Sequence, residues 1–215
     1  MAQPPNHLPG SDPFASVWEE EVLDDYLKLF RRTYNFLRER KTFPFLAYGT
    51  LLGCRRNNQI IPWDGDIDLC VDRGAYEKIH RDLVSFCTQN RCSIVEDGPA
   101  NYKIFSIDSQ RTGRHFNWPW IDIDFWTRRK GPEGNDWISF LLNSGSVFSE
   151  HPEDDVFPLR EARFEEIQCY IPAKTDNLLN TWYPNWSKQF QSGKVFHRYA
   201  GTTRENNPTI TRPIE

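Results

Sequence analysis

Apolar side chains at Leu23, Tyr26, Leu27, Phe30, Tyr34 and Leu37 recur at three- and four-residue steps, with charged residues between them. This period predicts an amphipathic helix running to about Arg40, one stripe buried and the other face in water. Ser16-Val17-Trp18-Glu19 ahead of it reads as a capping box. The pattern then shortens. Phe43 to Ala47 predicts a first strand, Leu51 to Arg56 a short helix, and Asp66 to Val71 a second strand. Helical spacing returns from Gly74 to about Gln89, with Tyr76, Ile79, Leu83 and Phe86 inward. Cys92–Glu96 and Tyr102–Ile107 read as strands parted by the turn Asp97-Gly98-Pro99. Ile121–Trp126 is a further strand, the charged stretch Thr127 to Asp136 a loop, Ile167–Ile171 a late strand and Leu178–Tyr183 a short helix. The polar, proline-bearing ends, residues 1–15 and 201–215, are expected to be an unfolded leader and a flexible tail around one domain, residues 16–200.

The strand at Asp66 carries unusual chemistry. In Asp64-Gly65-Asp66-Ile67-Asp68, alternate positions are carboxylates, and on an extended chain they project to one face. Like charges that close resist ionisation unless a cation joins them, and hard oxygen ligands select Mg²⁺ or Mn²⁺. A solvated acidic turn is the alternative. A calcium EF-hand loop is excluded: counted from Asp64, it needs Gly sixth and Glu twelfth, where the chain has Leu69 and Ala75. Gly49-Thr50 supplies a nearby turn whose backbone N–H groups can approach phosphate.

Composition narrows the classes. The chain has 215 residues, enough for one domain or one with an appended lobe, and its net charge of −4 gives no footing for bulk nucleic-acid binding. Five cysteines without regular spacing do not make a disulfide framework, and Cys87-x4-Cys92 lacks the two further ligands of a zinc site. No stretch has the ~18 apolar residues of a membrane span, and Met1–Pro13 has neither the basic start nor the apolar middle of a signal peptide. On that basis the chain is expected to be soluble and cytoplasmic, a truncated form of an anchored protein, or targeted by other means.

Tyr48-Gly49-Thr50-Leu51-Leu52-Gly53-Cys54-Arg55-Arg56, followed by Ile60-Ile61-Pro62-Trp63-Asp64-Gly65-Asp66-Ile67-Asp68-Leu69, resembles the signature of the LicD family. That family includes bacterial phosphocholine transferases and the animal fukutin and fukutin-related proteins. Gly65 stands where many members have another acidic residue, on the face opposite Asp64 and Asp66. Trp120-Ile121-Asp122-Ile123-Asp124-Phe125 is similar to the family's second acidic strand, with Asp122 at the matching position and Asp124 an addition. Asp155-Val156-Phe157-Pro158-Leu159, Phe164-Glu165 and Ile171-Pro172 resemble its later stretch, with Glu166 in place of a Gly. The likeness covers roughly residues 43 to 185.

The resemblance implies a nucleotidyltransferase-like α/β (α+β) fold, a mixed β-sheet flanked by helices that sets the two acidic strands side by side. It implies Asp66, Asp68 and Asp122 as catalytic metal ligands, holding two ions of Mg²⁺ or Mn²⁺ ~3.5–4 Å apart. Gly49, Thr50, Arg56, Asp64, Lys103 and Asp124 are expected around the substrate: Arg56 as a phosphate clamp, Lys103 reaching donor phosphates, Asp64 supporting the turn. Trp63 fits a core position or a base-stacking platform, and His197-Arg198 an acceptor contact. The activity implied is transfer of a phospho-alcohol, such as phosphocholine or ribitol phosphate, from a CDP-activated donor to a sugar hydroxyl of a glycan, releasing CMP. Two other readings stay open: a nucleotide-sugar-dependent glycosyltransferase using Asp-x-Asp, and a silent relative that binds a glycan or partner. Animal members are Golgi-anchored and bacterial ones cytoplasmic.

Overall fold

The protein's structure, a computed structural model, describes residues 12–131, 133–192 and 210–214. Helix α1 spans Glu20–Glu39 and buries Tyr26, Leu29, Phe30, Thr33, Tyr34, Phe36 and Leu37, the stripe its spacing predicts. It starts later than the capping box implies. Ser16 Oγ instead accepts the Trp18 N–H at 3.1 Å, and the Val17 N–H goes to the Pro62 carbonyl at 2.9 Å, so this stretch is tied to a distant turn. Phe14, within the expected leader, is buried against Trp63 with ring centroids 5.0 Å apart.

The order continues as β1 Phe45–Leu46, α2 Tyr48–Asn57, β2 Asp66–Asp72, α3 Arg73–Gln89, β3 Cys92–Glu96, β4 Asn101–Arg111 and β5 Asn117–Lys130. Then come β6 Asp136–Leu141, β7 Val147–Pro152, α4 Glu153–Val156, β8 Arg160–Phe164, β9 Ile167–Ile171, α5 Thr175–Trp182, β10 Gln189–Ser192 and β11 Ile210–Pro213. The main sheet runs β1-β2-β5-β4-β3, with β6 on the far half of β5 and β7 on β6. Only β2 and β5 pair in parallel within it; the other pairings are antiparallel. It is thus a mixed sheet with helices packed on it, as expected. Parallel pairing needs a crossover, and α3 with the β3–β4 hairpin supplies it.

The long β5 passes through the core, with Ile121, Ile123 and Phe125 on one face and Trp118, Trp120, Asp122, Asp124 and Trp126 on the other, all buried. Helix α3 packs on β2, β3 and β5, with Tyr76 4.8 Å from Phe125 between ring centroids.

Three expectations need correction. Thr127 to Lys130 is strand, paired along Asp136–Ser139 of β6, and its cations find partners there and beside it: Arg128 with Glu153 of α4, Arg129 with Glu150 of β7, Lys130 with Asp136 of β6. The loop there is confined to the turn before β6, and β6, β7 and β8 were not anticipated. In the expected tail, Ile210–Pro213 pairs with Gln189–Ser192. His197-Arg198 and residues 1–11 lie outside the described residues. Among those described, all five cysteines are free and buried, and no helix is long and apolar enough to cross a membrane.

Candidate active site

The β2–β5 register brings the carboxylates together. Asp68 lies directly beside Asp122, and Asp66 beside Trp120. Asp66, Asp68 and Asp122 each offer an oxygen within 4.8 Å of the others, the one such acidic, His or Cys group among the described residues. Three hard oxygen donors at that separation could hold a divalent metal ion.

Helix α2 presents its N-terminus to this cluster. Its N-cap is Ala47, whose N–H bonds the Asp68 carbonyl at 3.1 Å and which offers no side-chain cap. The first-turn N–H groups of a helix have no partner within it, and they favour an anion. Thr50 Oγ1 accepts the Asp68 N–H at 2.8 Å and faces Asp68 Oδ2 at 3.4 Å, which fixes helix and strand in register. A Cβ on Gly49 would lie 2.3 Å from Asp64 Oδ2, so glycine lets the Asp64 carboxylate lie against the helix. Asp64 Oδ1 in turn accepts the Gly65 N–H at 3.1 Å. Gly49, Thr50 and Asp64 are therefore gathered at the cluster.

Lys103 is also there, paired with carboxylates. Its Nζ lies 2.5 Å from Asp122 Oδ1 and 3.5 Å from Asp97 Oδ2. The β4–β5 register places it directly opposite Asp122. Asn101, one step along, donates to Asp122 Oδ1 at 3.1 Å and to Asp124 Oδ1 at 2.8 Å. The Trp120 indole donates to Asp122 Oδ2 at 2.9 Å. Asp124 sits two residues beyond the trio, opposite Cys70. Tyr26 of α1 donates to the Trp120 carbonyl at 2.5 Å and feels the charges of Asp66, Asp122 and Asp68. Asn101, Trp120, Asp97 and Tyr26 were not singled out by sequence; only the strand register reveals them.

Arg56 does not join the cluster. It sits in the last turn of α2, and its Nη2 donates to the carbonyls of Trp186 at 2.6 Å and Gln189 at 2.9 Å. The guanidinium thereby ties the chain after α5 to α2. Arg56→Ala should cost about 1–3 kcal/mol of stability, from two carbonyls losing a charged donor, and leave the donor KM almost unchanged. Denaturant titration beside donor kinetics checks this; a large KM rise at unchanged stability would return Arg56 to the substrate. Trp63 is likewise structural, its indole donating to the Gln191 carbonyl at 3.0 Å. A separate cleft of about 490 Å³ lies between α2, the β8–β9 hairpin and the start of α5, and none of the site carboxylates lines it.

Electrostatics follow from enclosure. Burial, then the Asp66 charge, raises Asp68 well above the usual carboxylate range. Burial, then Asp122, pushes Asp124 up to about 8, against the Asn101 hydrogen bond. A carboxyl with a raised folded pKa holds its proton better folded than unfolded. Its contribution is therefore full below the unfolded value near 4 and is lost as pH rises to about 8. In chelator, Tm should fall by roughly 5 °C or more between pH 5 and pH 8, and Mg²⁺ should shrink that difference. Thermal melts with EDTA or Mg²⁺ test this; a flat profile in EDTA contradicts the raised carboxyls.

A family model described as LicD/FKTN/FKRP, nucleotidyltransferase domain, matches residues 41–174. An uncharacterized protein of Rickettsia typhi is 26% identical over 174 residues, 80% of this chain and 49% of its own length. One of Rickettsia prowazekii is 23% identical over 166 residues, 75% of this chain and 54% of its own. The chain spans about half the length of the curated relatives it matches.

Proposed function

The chain belongs to the LicD/FKTN/FKRP nucleotidyltransferase-domain family, and from that premise we propose that it transfers a phospho-alcohol group from a CDP-activated donor to a sugar hydroxyl of a glycan, releasing CMP. The family itself supports the coarser statement, a transferase of phosphate-containing groups acting in glycan modification. The observation carrying the finer reading is the trio of carboxylates on adjacent parallel strands beside an uncapped helix N-terminus. Phosphoryl transfer needs positioning and charge neutralisation more than covalent help, and this arrangement provides for both.

Asp66, Asp68 and Asp122 would hold Mg²⁺ or Mn²⁺. When bound, the metal neutralises phosphate charge and makes an acceptor hydroxyl more acidic. The backbone N–H groups of the α2 first turn, at Gly49 and Thr50, receive the donor's phosphates. Thr50 holds Asp68 in register, and Asp64 packs against Gly49 to keep that turn in place. Asn101 and the Trp120 indole orient the Asp122 carboxylate, while burial around β5 limits water.

The test is incubation with CDP-choline, CDP-ribitol, CDP-glycerol and nucleotide-sugars, with Mg²⁺ or Mn²⁺ and candidate glycans. CMP release with modification of the glycan supports the proposal. UDP or GDP release would indicate glycosyl transfer. No turnover of any donor, with binding intact, would leave a binding protein.

A further inference from the structure

Asp122 has little left to give a metal. A carboxylate carries about four lone-pair directions, two on each oxygen. On Oδ1 the Lys103 ammonium at 2.5 Å and the Asn101 amide at 3.1 Å take both; on Oδ2 the Trp120 indole at 2.9 Å takes one. One direction remains, on Oδ2.

Lys103 is built into this arrangement. Its side chain is 8% exposed, it faces Asp97 as a second carboxylate, and it lies 4.9 Å from the Trp120 ring centroid and 5.2 Å from that of Phe116. The strand register, rather than a chance rotamer, sets it against Asp122. A second ion beside Asp122 would meet a fixed positive charge on the same carboxylate, inside a buried site where water screens it poorly.

We infer that the cluster takes one divalent ion, not two, and that Lys103 is the fixed cation standing in the second ion's place. This rests on the metal-dependent reading of the site. Lys103 acts here as a positioning residue, setting how many ions the carboxylates accept.

Mn²⁺ titration followed by electron paramagnetic resonance, with and without cytidine diphosphate, tests it. The vanishing free-ion signal counts bound Mn²⁺, and two neighbouring ions give an exchange-coupled spectrum that one ion does not. The wild-type chain and Lys103→Arg should bind one Mn²⁺ per chain, uncoupled. Lys103→Met, close in size but without charge or donor, should bind two and show the coupled spectrum. A coupled pair in the wild-type chain overturns the inference while leaving the metal-dependent reading intact. One ion in a folded Lys103→Met overturns the role of Lys103. No bound Mn²⁺ in the wild-type chain overturns both the inference and the reading beneath it. The wild-type count decides the stoichiometry even if a variant fails to fold.

Discussion

Asp68→Asn is expected to lower turnover at least about 10³-fold, well beyond the 10–100-fold typical of groups that only support a metal ligand. The metal-free variant should also melt higher than wild type. Asp68 lies directly beside Asp122 and near Asp66, so the empty cluster holds repelling carboxylates. Removing one charge relieves that repulsion, a gain of about 1 kcal/mol of the kind seen when functional sites are neutralised. Kinetics at saturating Mg²⁺ and melting in EDTA separate the two effects. Near-wild-type turnover would exclude Asp68 from the metal site. Lost turnover with a lower apo Tm would mean that Asp68 holds the fold instead.

Asp122→Asn should abolish turnover equally and move stability the other way. Asp122 is the carboxylate facing Lys103 in the buried sheet, and Asn cannot balance that ammonium. Breaking one side of a buried ion pair costs about 3–5 kcal/mol, and Asp97 at 3.5 Å from the ammonium argues for the lower end. The double variant Asp122→Asn with Lys103→Met should recover much of the stability and none of the turnover, a coupling that a double-mutant cycle reads directly. An additive result would show that the pair does not matter to the fold. Asp124→Asn should be much milder on turnover, since Asp124 lies outside the trio. If it proved the more damaging, the catalytic register would move by two residues.

Much of this was legible in the chain. The spacing of Tyr26, Phe30, Tyr34 and Leu37 marked the face of α1, and alternating aspartates marked the acidic edge of β2. What alternation cannot give is register. Whether Asp68 meets Asp122 or Asp124 depends on how β2 and β5 slide past each other, and a strand's own pattern repeats every two residues. The same blindness hid Asn101 and the pairing of Lys103 with Asp122. The contacts of Arg56 were hidden for another reason: its partners are backbone carbonyls more than 125 residues away, 130 to Trp186 and 133 to Gln189, and carbonyls carry no sequence signal. Thr127 to Lys130, the far end of β5, read as loop because its pairing cations lie on a solvated face, where charge marks exposure and not secondary structure.

The Trp63 indole, whose partner is the Gln191 carbonyl 128 positions later, has a consequence for synthesis on the ribosome. The turn leading into Asp64 and Asp66 leaves the exit tunnel long before the segment that braces it exists. At ~5–20 residues per second that interval is roughly 6–25 s. Throughout it the first acidic strand lacks Gln191 beneath its tryptophan, and until β5 (Asn117–Lys130) emerges it lacks its parallel neighbour as well. The nascent chain thus carries an unfinished, negatively charged edge for seconds, and a chaperone or a divalent ion has that long to act on it before the sheet closes.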